Sequence, residues 1–267
     1  MTEIDDDVWE RQRRSFEQTA EEYDRHRPSY PDELFADVRA YADLAPDDAI
    51  LEIGAGTGRA TLAVAAWGNP LVAIEPAPAM ADVARRNVAH LPNVDMRTAR
   101  FEDDDAYETA SFGLVFCAQV YHWLDRATRV QRLHDALYHY GTAAIIANVQ
   151  VTPEDTLPFW QRVDSVYREV APTLAHQGEF RRPDDLPRHP LEGSDLFVDL
   201  EHRAHPWSWT LDTEQYIALL QTHSPHASLV PDVRERLVAT IAEVVDAEYG
   251  GAVTEHYVAW AALARRA

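Results

Sequence analysis

The chain has 267 residues, of which 46% are hydrophobic, enough to bury one full core with an embellishment. Its 24 basic against 45 acidic residues give a formal net charge of −21, a field that repels phosphate backbones and anionic headgroups, so neither nucleic acid nor a membrane surface is an expected partner. Every basic residue other than histidine is arginine, which excludes lysine Schiff-base chemistry and a P-loop lysine.

No run approaches the roughly 18 apolar residues of a membrane span. The opening MTEIDDDVWERQRR carries charges where an export signal needs an apolar stretch. The single cysteine, Cys117, has no internal disulfide partner. The expectation is therefore a cytoplasmic protein.

Residues 7 to 26 read as a helix that ends near Arg27-Pro28, because a residue before proline is pushed out of helical space. Leu34, Phe35, Val38 and Tyr41 recur at helical spacing over Asp32 to Tyr41, and Ala45-Pro46-Asp47-Asp48 closes that helix. Short apolar runs then alternate with longer amphipathic ones, the pattern of a parallel sheet wrapped by helices. Ala49 to Ile53, Leu71 to Ile74, Val94 to Ala99, Phe112 to Cys117 and Thr142 to Val149 are the expected strands. Helices are expected at Gly58 to Trp67, Pro78 to His90 and Asp125 to Tyr140, with Gly68 and Gly141 at their C-caps and Asp125 as an N-cap. Beyond Val149 prolines multiply, and the pattern gives a helix, an irregular segment, a strand over Phe197 to Thr210, helices over Thr213 to Gln221 and Asp232 to Tyr249, and a last strand over Ala252 to Ala264.

Chemistry concentrates in Glu52-Ile53-Gly54-Ala55-Gly56-Thr57-Gly58, where three glycines at alternate positions follow a buried strand and precede a helix. Such a loop turns tightly and lets a ligand lie against bare backbone. A dinucleotide-binding loop places its third glycine one residue later, where this chain has Arg59, so a cofactor without a pyrophosphate fits better. Glu75 ends the second strand, well placed to accept both hydroxyls of a ribose, and Pro76, Pro78 and Met80 start the next helix. Phe101 and Glu102 follow the third strand, where a ring could flank an adenine and a carboxylate accept from its amine. Ala118-Gln119-Val120-Tyr121-His122-Trp123 follows the fourth.

Together with Tyr23-Asp24-Arg25-His26-Arg27-Pro28-Ser29-Tyr30-Pro31, these segments resemble a class I S-adenosylmethionine (SAM)-dependent methyltransferase of the small-molecule group that includes the ubiquinone-biosynthesis and trans-aconitate types. The resemblance covers about the first 125 residues and rests on E-x-G-x-G-x-G, the acidic tip Glu75, the segment at Phe101 and AQ-x-x-HW at Ala118 to Trp123. It implies an α/β Rossmann-like fold: a seven-stranded, mostly parallel sheet with helices on both faces and a reversed last hairpin, plus an N-terminal lid helix and a helical insertion. The implied division is lid and cap helices over 1–45, a SAM-binding core over 46–150, and over 151–267 the rest of the fold with the acceptor-site cover. By the same resemblance Gly54, Ala55, Gly56, Thr57 and Gly58 lie under the methionine part with Glu52 behind them. Glu75 holds the ribose with Pro76 and Met80 beside it, and Phe101 and Glu102 frame the adenine. Ala118 and Gln119 border the site, and Tyr23 and Arg27 reach the SAM carboxylate. S-adenosylhomocysteine is the implied product.

Methyl transfer from a sulfonium needs alignment and exclusion of water, with no metal. A hydroxyl or protonated amine acceptor also needs a base, and His122 is the candidate, the alternative being that His122 and Trp123 pack the loop. Trp160, Tyr167, Trp207, Trp209 and Tyr216 either line an acceptor pocket or belong to the core. His202 with His205, and His223 with His226, read as surface features rather than metal ligands. Cys117 reads as a buried small hydrophobe. A SAM-binding sensor or partner protein without catalysis is the other function that shares these motifs. A nicotinamide dehydrogenase is disfavoured by Arg59.

Overall fold

The computed structural model describes residues 20–175 and 180–267. The expected first helix lies largely outside the described residues; its end is helical over 20–26. The elements that follow are α1 (Asp32–Ala42), β1 (Ala49–Ile53), α2 (Arg59–Ala65), β2 (Leu71–Ile74), α3 (Pro78–Val88), β3 (Val94–Arg97), β4 (Phe112–Ala118), α4 (Arg129–Ala136), β5 (Leu137–Val151), α5 (Leu157–Val170), β6 (Phe197–Asp212), α6 (Thr213–Gln221), α7 (Pro231–Glu248) and β7 (Ala252–Arg266).

The strands form one seven-stranded sheet in the order β3-β2-β1-β4-β5-β7-β6. β1 pairs in parallel with β2 and β4, β2 with β3, and β4 with β5. β1 and β4 lie at the centre and are buried along almost their whole length, as expected of strands covered on both faces and therefore apolar without alternation. Pro78 sits in the first turn of α3, where a missing N–H costs nothing.

Contacts divide the chain into two units. A sheet unit comprises Ser29–Asn148, Pro187–His205 and Ala259–Ala267; a helical unit comprises the described part of Met1–Pro28 with Val149–Leu186 and Pro206–Val258. The division differs from three consecutive blocks: α1 falls in the sheet unit, and the stretch after 150 contributes to both. In the helical unit α5 and α6 both pack on α7, around a core that includes Phe159, Trp160, Tyr167, Tyr216, Leu237 and Ile241. Trp160, Tyr167 and Tyr216 are buried in that core, while Trp207 and Trp209 on β6 keep partial exposure.

One boundary departs from expectation. The helix expected to run to Tyr140 ends at Ala136, because Leu137 already pairs with Phe112 as strand. The next pair is Leu114 with Thr142, so 138–141 bulge out of the ladder and Gly141 lies inside the bulge rather than at a helix end. Its start also moves. Asp125 accepts from Ala127 N and Thr128 Oγ1, but this forms a separate turn ahead of Arg129.

Candidate functional site

Register decides which segments meet. Ile53 pairs with Ile74 on one side and Cys117 on the other, and Ile74 pairs with Arg97. The chain therefore leaves β1, β2, β3 and β4 at one level, and the glycine loop, Glu75 to Met80, the 98–102 segment and Ala118 to Trp123 rise from the same carboxyl edge of the sheet. Ligands bind at such an edge in open parallel sheets.

The glycine loop is tied to β2 through its backbone. Gly54 N and Ala55 N both donate to Ile74 O, at 2.8 and 3.0 Å. Gly54 has φ 68° and Gly56 φ 59°, in the left-handed region where side chains are strained. A Cβ on Gly54 would stand 2.6 Å from both methyls of Val120, whereas one on Gly56 would meet nothing nearer than Met80 Cε at 3.8 Å. The first glycine thus admits a neighbouring side chain, and the second leaves its face open.

Glu75 joins two loops. Its Oε2 accepts from Gly56 N and its Oε1 from Ala77 N, both at 2.9 Å. Burial raises its carboxyl pKa and the two N–H donors pull it down. Each oxygen has a second lone pair, so these bonds leave acceptor capacity toward the edge. Asn87 Nδ2, from α3, donates to Thr57 O at 2.9 Å and fixes the far side of the loop.

Exposure sorts the remaining expected residues. Gly54, Gly56, Pro76, Glu102, Ala118 and Gln119 are partly exposed, while Ala55 (7%), Met80 (5%) and Gly58 are buried at the rim. Glu52 and Thr57 are 1% exposed and Phe101 2%. The side chains of these three lie beneath the loops. Phe101 stacks on Tyr107 with centroids 5.2 Å apart, so its ring face is taken. Burial pushes the Glu52 carboxyl up to about 8, against the Thr61 hydroxyl beside it, with the Glu75 charge adding a little. Glu102 Oε1 accepts from Asp125 N at 3.3 Å, tying the 98–102 segment to the turn before α4.

After β4, Gln119 takes φ 63°, donates through N to Ile146 O (2.9 Å) and through Nε2 to Asn148 O (3.0 Å). Tyr121–Trp123 then form a 3₁₀ turn. Arg129 holds it, donating to Tyr121 O at 3.0 Å with its guanidinium 4.1 Å from the Tyr121 ring centre. His122 is exposed by surface area, yet the desolvation it feels, with the Arg129 charge second, lowers its pKa below the ordinary histidine range. At neutral pH it is an unprotonated, accessible imidazole.

Tyr23 and Arg27 belong to the helical unit. The Arg27 guanidinium lies 5.1 Å from the Tyr23 ring centre and donates to Thr222 O at 3.1 Å, while its buried Nε has no partner among the described residues. His226 is 6% exposed and hydrogen-bonded to Tyr167 at 2.7 Å, so the His223/His226 pair is not a surface feature.

A family model described as a methyltransferase domain matches residues 50–141. Over 86% of both chains the sequence is 27% identical to an uncharacterised methyltransferase-like protein of Schizosaccharomyces pombe. An uncharacterised methyltransferase of Mycobacterium tuberculosis is 33% identical over 51% of this chain, and the match spans 53% of that protein, about half its length. The chain carries a methyltransferase domain on a Rossmann-like α/β fold. A solved structure of a candidate type II methyltransferase from Anaeromyxobacter dehalogenans shares the fold at TM-score 0.60 and 23% identity, covering 90% of this chain and 97% of the other. SAM is the cofactor of this methyltransferase. Sequence reasoning missed Val120, Asn87 and Arg129. Asn87 was within reach of it, lying seven residues after Met80 on the buried face of α3; nothing local marks Val120 or Arg129.

Proposed function

We propose that this methyltransferase transfers the SAM methyl group to an oxygen, nitrogen or carbon atom of a small-molecule metabolite. The observation that carries the reading is the Glu75 carboxylate, anchored across the β1 and β2 loops by Gly56 N and Ala77 N at the open edge of the sheet. Gly56 leaves bare backbone for the amino-acid part, with Gly54, Ala55, Gly58 and Met80 at the rim. Glu75 has lone pairs left for the ribose hydroxyls, flanked by Pro76. Glu102 accepts from the adenine amine, and Ala118 and Gln119 border the sulfur side. Glu52, Thr57 and Phe101 support the loops from beneath.

When bound, SAM supplies an electrophilic methyl on a sulfonium and leaves as S-adenosylhomocysteine. The protein's part is to align the acceptor and exclude water. His122, neutral and accessible, takes the proton released by a hydroxyl or amine acceptor. The net charge of −21 supports a small molecule over RNA or DNA. None of the described helices is long and apolar enough to cross a membrane, and the buried free Cys117 fits a reducing compartment such as the cytoplasm.

Incubation with methyl-tritiated SAM and a metabolite extract, or with total RNA, tests this. Label is expected in low-molecular-weight product. Label in RNA, or SAM binding with no transfer to any metabolite, would overturn the substrate class or the catalysis respectively.

A further inference from the structure

The turn that carries His122 is held at its two ends by packing and in its middle by one side chain. Val120, which opens the turn, faces Gly54, where a Cβ would stand 2.6 Å from its methyls, and Leu124, which closes it, is buried. Between them His122 is exposed, its ring tilted at 42° to that of Trp123 with centroids 4.9 Å apart. Among the described residues Arg129 is the side chain that hydrogen-bonds this turn, donating from Nη1 to Tyr121 O at 3.0 Å, with its guanidinium 4.1 Å from the centre of the Tyr121 ring. A planar cation that bonds the carbonyl and covers the ring of one residue fixes that residue in both position and tilt.

Nothing in α4 itself calls for Arg129. It is the first residue of that helix, where a cation opposes the helix dipole, and no acidic residue in the first turn offsets it. Its Nε is buried without a partner among the described residues. The acids nearby are engaged elsewhere: Asp125 accepts from Ala127 N and Thr128 Oγ1, while Glu102 accepts from Asp125 N and lies 3.6 Å from Arg100 Nε. Cys117, at the end of β4, is a neutral thiol that burial pushes up to about 12, and burial raises the Tyr121 phenol as well. The charge that reaches His122 is thus that of an uncompensated guanidinium, which adds to desolvation in disfavouring a positive ring.

We infer that Arg129 is a positioning residue for methyl transfer: by gripping Tyr121 it holds the neighbouring His122 imidazole at the carboxyl edge of the sheet, where the proton is released. The inference rests on the reading of His122 as the base and deepens it. As the acceptor lone pair bonds to the methyl carbon, the S–C bond breaks onto sulfur, and the acceptor's proton goes to the free nitrogen lone pair of His122.

Two measurements on the full-length protein test it. With S-adenosylhomocysteine saturating, an NMR titration of the histidine rings, His122 being assigned from the His122→Gln spectrum, reads the His122 midpoint without any acceptor. Arg129→Gln should raise that midpoint toward the ordinary value of about 6.5, and Arg129→Lys, which keeps the charge, should leave it in place. With methyl-tritiated SAM saturating and a metabolite extract as acceptor, Arg129→Gln should slow label transfer about tenfold at wild-type SAM affinity. Arg129→Lys should recover part of that rate, since an ammonium keeps the charge without the planar fork. Should Arg129→Gln fail to fold, Tyr121→Leu removes the ring beneath the guanidinium and carries the same expected loss of rate. An unmoved His122 midpoint in Arg129→Gln, an unchanged rate, or a rate lost together with SAM affinity overturns the inference. A His122→Gln protein that transfers label at the wild-type rate would instead defeat the base reading beneath it.

Discussion

Glu75 holds two backbone N–H groups from different loops on one carboxylate, and it was legible from sequence because an acidic residue at the tip of the second strand has few other uses. The glycine loop was legible for a similar reason. Gly54 serves Val120 as much as any ligand: Gly54→Ala puts a methyl 2.6 Å from Val120 at φ 68°, and should cost about 1–3 kcal/mol in urea unfolding. Adding Val120→Ala should recover the steric part and leave the backbone strain. The stacking of Phe101 on Tyr107 could not be read from the sequence, because Tyr107 comes from a loop whose course no periodicity reveals. For His122 the prediction is kinetic. His122→Gln should lower kcat by about 10²-fold with SAM affinity unchanged, and the acid limb of the wild-type kcat profile should lie below pH 6.5, the ordinary histidine value, because its pKa is depressed. An unchanged kcat would assign the ring to packing.

At the scale of elements, the alternation of strands and helices through β4 was readable because each buried strand is a short apolar run bounded by turn residues. The α4/β5 junction was not, since Tyr138, His139 and Tyr140 fit a helix as well as a bulge, and pairing of Leu137 with Phe112 decides between them. α6, expected over Thr213 to Gln221, starts on a reciprocal cap that the sequence reading did not name: Asp212 accepts from Gln215 N at 2.8 Å, and Gln215 Oε1 accepts from Asp212 N at 3.0 Å. Asp212→Ala should cost about 1 kcal/mol in chemical denaturation. A loss near zero would mean that packing on α7 alone sets the helix.

At the scale of the whole molecule, the two-unit division was hidden because residues far apart in sequence share each unit, and β6 and β7 run from one to the other. Buried charge gives the molecule a pH signature. Glu52 and Glu255 are both held near 8 by burial. The folded state keeps their protons where the unfolded chain has released them, so their contribution to stability is lost as pH rises from the unfolded carboxyl value through 8. The depressed histidines His122, His189 and His223 act oppositely, but only below about 6.5. Stability should therefore fall between pH 6.5 and 8.5, with a limiting slope of ~1.4 kcal/mol per pH unit for each carboxyl. Glu255→Gln should flatten it, and stability that rises across this window would contradict the assignment.

The central claim concerns the crevice between the β1 and β2 loops, and isothermal titration of SAM into the wild type and Glu75→Ala addresses it directly. The wild type should bind, and the variant should lose about 1–3 kcal/mol of affinity, roughly tenfold to a hundredfold, since ribose hydroxyls lose their acceptor. Equal affinity in the two proteins would contradict the placement of SAM on this edge.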